Sequence, residues 1–155
     1  MTKHRLTVDS QKQVALLHED GRIVRRYVVS TSAAGLGCEP ESFRTPPGRL
    51  FVAEKIGAGL PEGAILRGRK ATGETWNASN AQTFAGDDLV LTRILWLSGL
   101  EPHNSNTRER YIYLHGTNHE NRLGEPASQG CVRFRNSDIV EIFDLLEVGD
   151  EIEVI

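Results

Sequence analysis

The pattern of apolar and polar positions reads as strand along most of the chain and as helix in one place. Residues 14–17 form an apolar run, and residues 23–29 are rich in β-branched side chains. Asp20-Gly21 between them is a hairpin turn signal, since both residue types tolerate positive φ. Residues 30–47 carry Gly35, Gly37, Pro40, Pro46 and Pro47 and read as loop, after which residues 50–53 resume as strand. Residues 57–84 hold six glycines and prolines with little periodicity, a long excursion that is either functional or carries short strands of its own. Residues 89–97 make an apolar run suited to a buried strand, residues 102–110 are polar loop, and residues 111–115 are built from β-favouring types. Near the carboxyl end Ile139, Ile142, Phe143 and Leu146 share one helical face. Asn136 or Ser137 is the expected cap of that helix. Residues 151–155 then alternate as a final strand. The expected fold is mainly β, a sandwich or mixed sheet with one C-terminal helix and a long Gly-rich excursion.

A length of 155 residues suits one domain over 1–155 with a real core. The net charge of −3, with no basic stripe interleaved with aromatics, argues against a nucleic-acid partner. No apolar run reaches the length of a membrane span. The first five residues are basic, but Leu6-Thr7-Val8-Asp9 is not the apolar segment of a leader, so a cytoplasmic location is expected, or a periplasmic one if a leader has been removed. Two cysteines, Cys38 and Cys131, do not make a disulfide framework.

Chemistry concentrates in Ser128-Gln129-Gly130-Cys131-Val132-Arg133 and, upstream, Tyr113-Leu114-His115-Gly116-Thr117. A cysteine and a histidine brought together by folding make an activated nucleophile. Cys131 is the candidate nucleophile and His115 its base, and an imidazolium beside the sulfur is expected to lower the thiol from its ordinary ~8.5. Gly116 implies a sharp exit from the strand, and a carbonyl in that turn would fix the ring's tautomer, so Gly116 joins the catalytic candidates. The amides of Gln129, Gly130 and Cys131 are candidates for an oxyanion hole. Arg133, a planar fork of donors, is the candidate carboxylate grip, with Arg135 its nearby competitor. Ser128 and Thr117 complete the substrate-binding set.

Blander readings stand beside these. A lone cysteine is more often a small buried hydrophobe, and a lone strand-end histidine is more often satisfied by backbone. His115 and His119 with Cys131 suggest zinc, but the turn residues between the histidines and the lack of further ligands leave no metal expected. Trp76 and Trp96 suit core packing or a loop anchor better than a sugar site. Asn77-Ala78-Ser79 matches a glycosylation acceptor by chance.

The two blocks resemble the L,D-transpeptidase (YkuD-domain) family of bacterial cell-wall enzymes. That family carries a His, a spacer of about fifteen residues, and a Ser/Thr-His-Gly-Cys block followed by a small apolar residue and Arg or Asn. The matching positions are His115, Ser128, Gly130, Cys131, Val132 and Arg133, and Thr45-Pro46-Pro47-Gly48 looks like the family's Thr-Pro-x-Gly element. Gln129 departs from the pattern, standing where many members have His. The resemblance implies a cofactor-free enzyme whose partner is a peptidoglycan stem peptide or muropeptide. Cys131 would attack the carbonyl of an L-centre next to a terminal D-alanine, and His115 would protonate the leaving amine. Water as acceptor gives an L,D-carboxypeptidase, the outcome expected for a leaderless enzyme. A second stem as acceptor gives a cross-linking transpeptidase, and a non-catalytic wall-binding module is a further alternative.

Overall fold

A computed structural model describes residues 3–155. Ten strands form one sheet: β1 (His4–Asp9), β2 (Val14–Glu19), β3 (Arg22–Ser30), β4 (Gly48–Ile56), β5 (Ala64–Arg67), β6 (Lys70–Thr75), β7 (Val90–Gly99), β8 (Tyr113–Gly116), β9 (Val132–Phe134) and β10 (Glu151–Val154). One α-helix, α1 (Asn136–Leu145), completes the fold. The order β4-β10-β1-β2-β3-β9-β8-β7 closes on itself because β7 also pairs with β4. Two pairs, β1–β10 and β8–β9, are parallel and the rest antiparallel, so the sheet is mixed. Closure leaves no free edge along that circuit.

Each strand of the circuit sends one face inward. Leu6, Leu17, Leu50, Leu97, Leu114, Phe134 and Ile152 are fully buried in one cluster, and Ile139 and Ile142 of α1 lie in it with Phe143. The expected helical face is therefore the buried one. The hairpin at Asp20-Gly21 has φ of 49° and 84°, the positive pair that a tight turn with native twist requires.

Three local expectations are corrected. The helix begins at Asn136, and neither Asn136 nor Ser137 caps it; the Glu120 carboxylate accepts the Asn136 amide at 2.7 Å, placing a negative charge at the N-terminus. Strand β8 starts at Tyr113 rather than Tyr111, because Tyr111 is left-handed with φ 57°. The stretch 102–110 holds two single-turn 3-10 helices. Strand β9 has only three residues, too short for periodicity to register. The excursion carries the β5–β6 hairpin and a 3-10 turn, Ala81–Phe84.

That hairpin leans on the outer face of the circuit. At its tip Arg69 donates to the Tyr113 hydroxyl at 3.2 Å and lies 4.9 Å over the Trp96 ring and 5.1 Å from Tyr111. Trp96 is thus a loop anchor, with Arg108 stacked 4.7 Å away. Trp76 packs partly buried against Ile65, Leu89 and Leu91.

Leu17 is fully buried on β2, away from the chemistry-bearing strands. Leu17→Ala is expected to cost about 2–5 kcal/mol in denaturant unfolding by leaving a cavity. Turnover per folded molecule should not change, which activity normalised to the folded fraction will check.

Candidate active site

Strands β8 and β9 run side by side with Leu114 opposite Val132 and His115 opposite Arg133. Successive side chains alternate across a sheet. Leu114, Val132 and Phe134 point into the core, so Tyr113, His115 and Arg133 face the other way, and Cys131 joins them in the turn before β9. His115, Cys131 and Arg133 line one cavity of about 190 Å³, together with Asp88 and Gln129. The folding that sequence could only infer across the intervening residues is therefore present.

The turn carrying Cys131 is tied at several of its backbone groups. The Ala127 and Ser128 amides donate to the Thr31 carbonyl, and Ala33 N–H donates to Ser128 O. The Ser128 hydroxyl donates to the Cys131 carbonyl at 2.5 Å and accepts the Gly130 amide at 3.2 Å. Thr45, of the Thr-Pro-Pro-Gly element, donates to Gly130 O at 2.9 Å and accepts the Ser32 amide at 3.0 Å. Glycine is required at 130: φ is +124°, and a Cβ there would sit 3.3 Å from Ile112 Cδ1 and 3.5 Å from Arg44 O.

These bonds bear on three of the expected roles. The Gly130 amide is already engaged with Ser128, which leaves the amides of Gln129 and Cys131 as the oxyanion-hole candidates. Ser128, 3% exposed, lines the same cavity, and its hydroxyl is engaged in the turn, donating to Cys131 O and accepting the Gly130 amide. Thr117 is fully buried; its hydroxyl accepts the His119 amide at 3.0 Å and its carbonyl accepts Asn136 Nδ2, so it belongs to the scaffold.

His115 Nδ1 lies 2.5 Å from the Gly116 carbonyl. A carbonyl only accepts, so Nδ1 carries the proton and Nε2 of the neutral ring holds the free lone pair. The orienting carbonyl is the one anticipated at Gly116, but Gly116 stays within β8, opposite Leu91 and Phe134, and makes no exit from the strand. Its lack of a side chain has another cause. A Cβ would lie 2.2 Å from Asn136 Oδ1 and 2.8 Å from Leu91 O. Asn136 Oδ1 accepts the Thr92 hydroxyl at 2.6 Å, and Thr92, at φ 75° in a bulge of β7, also accepts the Gly63 amide. Asn136 thereby links β7, the excursion and α1 directly behind the histidine.

The resting pair is neutral. Burial pushes the Cys131 thiol up to about 11, with Asp88 adding to the rise and the Tyr113 amide, 3.2 Å from Sγ, and Arg133 opposing it. Burial also lowers His115 below its ordinary value, against the Gly116 carbonyl and Asp88. The sulfur's own proton points to Tyr111 O at 3.4 Å. A thiolate held ready by an imidazolium, expected from the sequence, is therefore not the resting arrangement. Cys131 itself is half-buried, so its sulfur is reachable.

Several participants lay outside the sequence reading. Asp88, in the loop just before β7, pairs with Arg133 at 2.9 Å. Tyr111 and Tyr113 act through backbone groups that carry no sequence signal. A second cleft of about 420 Å³, lined by Glu41, Phe43, Arg110 and Tyr111, shares the lining residue Gln129 with the first. Arg110 builds it, donating to the carbonyls of Gly37 and Arg44. His119 bonds the Asp87 carbonyl at 2.7 Å, and no group of three His, Cys, Asp or Glu side chains among the described residues is arranged to hold a metal ion. Cys38 and Cys131 are both free, Arg135 is exposed ahead of α1, and Asn77 folds back on the Ser79 amide at 2.9 Å.

The sequence matches the YkuD L,D-transpeptidase catalytic domain over residues 3–154. The chain belongs to that family. YqjB of Bacillus subtilis, a protein named as an L,D-transpeptidase, is 30% identical over 93 residues, which cover 59% of this chain and 49% of YqjB. ErfK/SrfK of Salmonella typhimurium, similarly named, is 44% identical over 46 residues, 30% of this chain and 15% of that protein. The chain thus spans about half or less of these curated relatives. Among solved structures, an L,D-transpeptidase from Mycobacterium smegmatis superposes with a TM-score of 0.64 at 16% identity, covering 99% of this chain and 59% of that one. L,D-transpeptidase 3 from Mycobacterium tuberculosis, solved with a faropenem-derived adduct, gives 0.61 at 16% identity, covering 99% and 60%. Both likenesses concern the fold, which is that of the YkuD domain.

Two outcomes follow from the site. Alkylation of Cys131 by iodoacetamide, read by peptide mass to separate it from Cys38, should rise towards a midpoint of about 11 and show no plateau at neutral pH; a neutral plateau would reveal a preformed thiolate. Gly116→Ala should lower activity at least tenfold (on the order of 1.4 kcal/mol or more at the barrier). The added methyl must displace either the Asn136 amide or the Leu91 carbonyl, and the histidine's orienting carbonyl with it; kcat on correctly folded protein will show this.

Proposed function

We propose that the chain is a cysteine acyl-transfer enzyme acting on peptidoglycan stem peptides at the bond between an L-centre and a terminal D-residue. The observation that carries this reading is the one cavity that Cys131 and His115 both line, with Nδ1 of the ring fixed on the Gly116 carbonyl and Nε2 left without a hydrogen bond. His115 Nε2 takes the thiol proton as sulfur adds to the L-centre carbonyl. The oxyanion gathers the Gln129 and Cys131 amides. His115 then returns the proton to the departing D-residue amine, leaving a thioester on Cys131. Arg133 faces the same cavity and suits a substrate carboxylate.

The acceptor decides the product. The second cleft, bordered like the first by Gln129, offers a place for a peptide acceptor, and cross-linking is the outcome proposed here in place of the carboxypeptidase outcome expected from the amino terminus. Water completes the reaction as an L,D-carboxypeptidase when no amine is seated.

The test is a soluble tetrapeptide stem incubated with the protein and followed by mass. Linked dimer should exceed tripeptide for the wild type, and Cys131→Ala should yield neither. Tripeptide alone would restore the carboxypeptidase reading. Faropenem should add covalently to the wild type and not to Cys131→Ala; no adduct and no product would overturn the thiol mechanism.

A further inference from the structure

The tip of the β5–β6 hairpin runs against ordinary turn chemistry. Arg67 and Lys70 pair across it, leaving Gly68 and Arg69 as a two-residue loop with φ of 54° and 66°. Such a loop needs positive φ at both positions, and glycine is the favoured second residue. An arginine there carries backbone strain that glycine would not. Residues held in such regions persist where their surroundings over-determine them, and they gather at functional sites.

Arg69 reaches a second strained residue. Tyr111 has φ 57°, a conformation uncommon for a bulky side chain. The Arg69 guanidinium lies 5.1 Å from the Tyr111 ring and 4.9 Å from Trp96, and it donates to the Tyr113 hydroxyl at 3.2 Å. Trp96 and Tyr111 pack with ring centres 5.9 Å apart. The Arg108 carbonyl accepts both the Trp96 indole N–H and the Tyr111 amide at 3.0 Å. One arginine and three aromatic residues thus hold both strained positions.

Two of these tyrosines flank the nucleophile. Tyr113 N–H donates to Cys131 Sγ at 3.2 Å, and Sγ donates to Tyr111 O at 3.4 Å. The two bonds are not equally secure. Tyr113 sits in β8 opposite Trp96, and the carbonyl of the peptide that carries its amide accepts Leu97 N–H at 3.0 Å, so the sheet fixes the donor. Tyr111 precedes the strand, and its carbonyl keeps its place only while its strained backbone does. Cys131 also packs in one apolar cluster with Tyr113 and Leu66 of β5.

We propose that Arg69 is a positioning residue for the nucleophile: from the hairpin tip it clamps Tyr111 and Tyr113, so that the Cys131 sulfur stays between the Tyr111 carbonyl and the Tyr113 amide. This rests on the acyl-transfer reading for the use to which that placement is put. It gives the Gly-rich excursion a task at a cavity that the excursion does not line. Loss of the clamp frees the acceptor and spares the donor. The neutral thiol then loses a bond that favours it, while the thiolate keeps one, so the titration midpoint of the sulfur falls. The charged groups that bear on the sulfur are Asp88, Arg133 and Arg110, with His115 in the same cavity. Arg69 is engaged instead with Tyr111, Tyr113 and Trp96, so the fall reports the carbonyl.

Iodoacetamide alkylation across pH, read by peptide mass, tests this without turnover. Arg69→Ala should bring the Cys131 midpoint below the wild type's value of about 11. It should speed alkylation at neutral pH by about threefold or more, because only the thiolate reacts. On the tetrapeptide stem kcat should nevertheless fall by about tenfold or more, with KM within about twofold, since placement is lost and Arg69 touches no substrate. Arg69→Lys keeps a cation and a donor and should lie between the two. Tyr111→Ala should move the midpoint the same way, and the double variant no further, because both act on one carbonyl. Cys38, also raised by burial, reports unfolding in the same digest and should not move; if Arg69→Ala unfolds, Arg69→Lys and Tyr111→Ala decide. A Cys131 midpoint unmoved in the folded variants, shifts that add in the double variant, or an unchanged kcat would overturn the proposal. Absence of turnover in the wild type as well would overturn the acyl-transfer reading and leave the midpoints to decide this one.

Discussion

The parallel pairing of β8 with β9 is the constraint on which the site depends. Register fixes which residues share a face: with Leu114 against Val132 and His115 against Arg133, base and guanidinium emerge side by side and the nucleophile precedes them by one turn. A shift of one residue would turn His115 into the core and bring Leu114 out. Parallel neighbours cannot be joined by a tight turn and need a crossover of a dozen or more residues. This accounts for the separation between the histidine and cysteine blocks. The crossover here is not a helix; residues 117–131 include only the 3-10 turn Glu120–Arg122, and they are used to bond back onto the scaffold.

Those return bonds explain how a neutral thiol can still be well placed. Burial costs the thiolate more than nearby donors recover, so the site cannot rely on a standing ion pair. It relies on position instead. The turn at 127–131 is held by Thr31, Ala33 and Thr45 from the 31–45 segment, and the histidine is held by Gly116 with Asn136 packed behind. Preorganised geometry can supply a large part of a barrier reduction without a charged ground state.

Much of this was legible in the sequence, and the reasons for the gaps are physical. The strands, the buried face of α1 and the cysteine and histidine blocks were visible because period and residue type carry them directly. The Glu120 carboxylate was not, because a cap supplied from a distant turn leaves no local pattern. Thr117 was taken for a substrate contact because a hydroxyl near a site looks the same in sequence whether it faces the ligand or is tied into the scaffold. Gly116 was marked for a carbonyl that orients the ring, which the structure shows, and for a bend, where the need is instead for room beside Asn136. Asp88 was missed because an exposed acid before a strand is ordinary until tertiary contact sets it on Arg133.

Buried polar groups without partners point the same way. Among the described residues the side-chain atoms in this condition are Arg93 Nε, Asn106 Oδ1 and Arg133 Nε. Arg93 has its Nη1 on the Leu60 and Thr92 carbonyls and its guanidinium 5.4 Å from the Phe143 ring, so its shortfall is partly met within the scaffold. The other two belong to residues lining the two clefts that share Gln129. Unmet donors and acceptors are costly in a folded interior, and a fold that keeps them only where a ligand can complete them loses less stability than one that scatters them. Arg133 and Asn106 carry that cost on the two sides of Gln129.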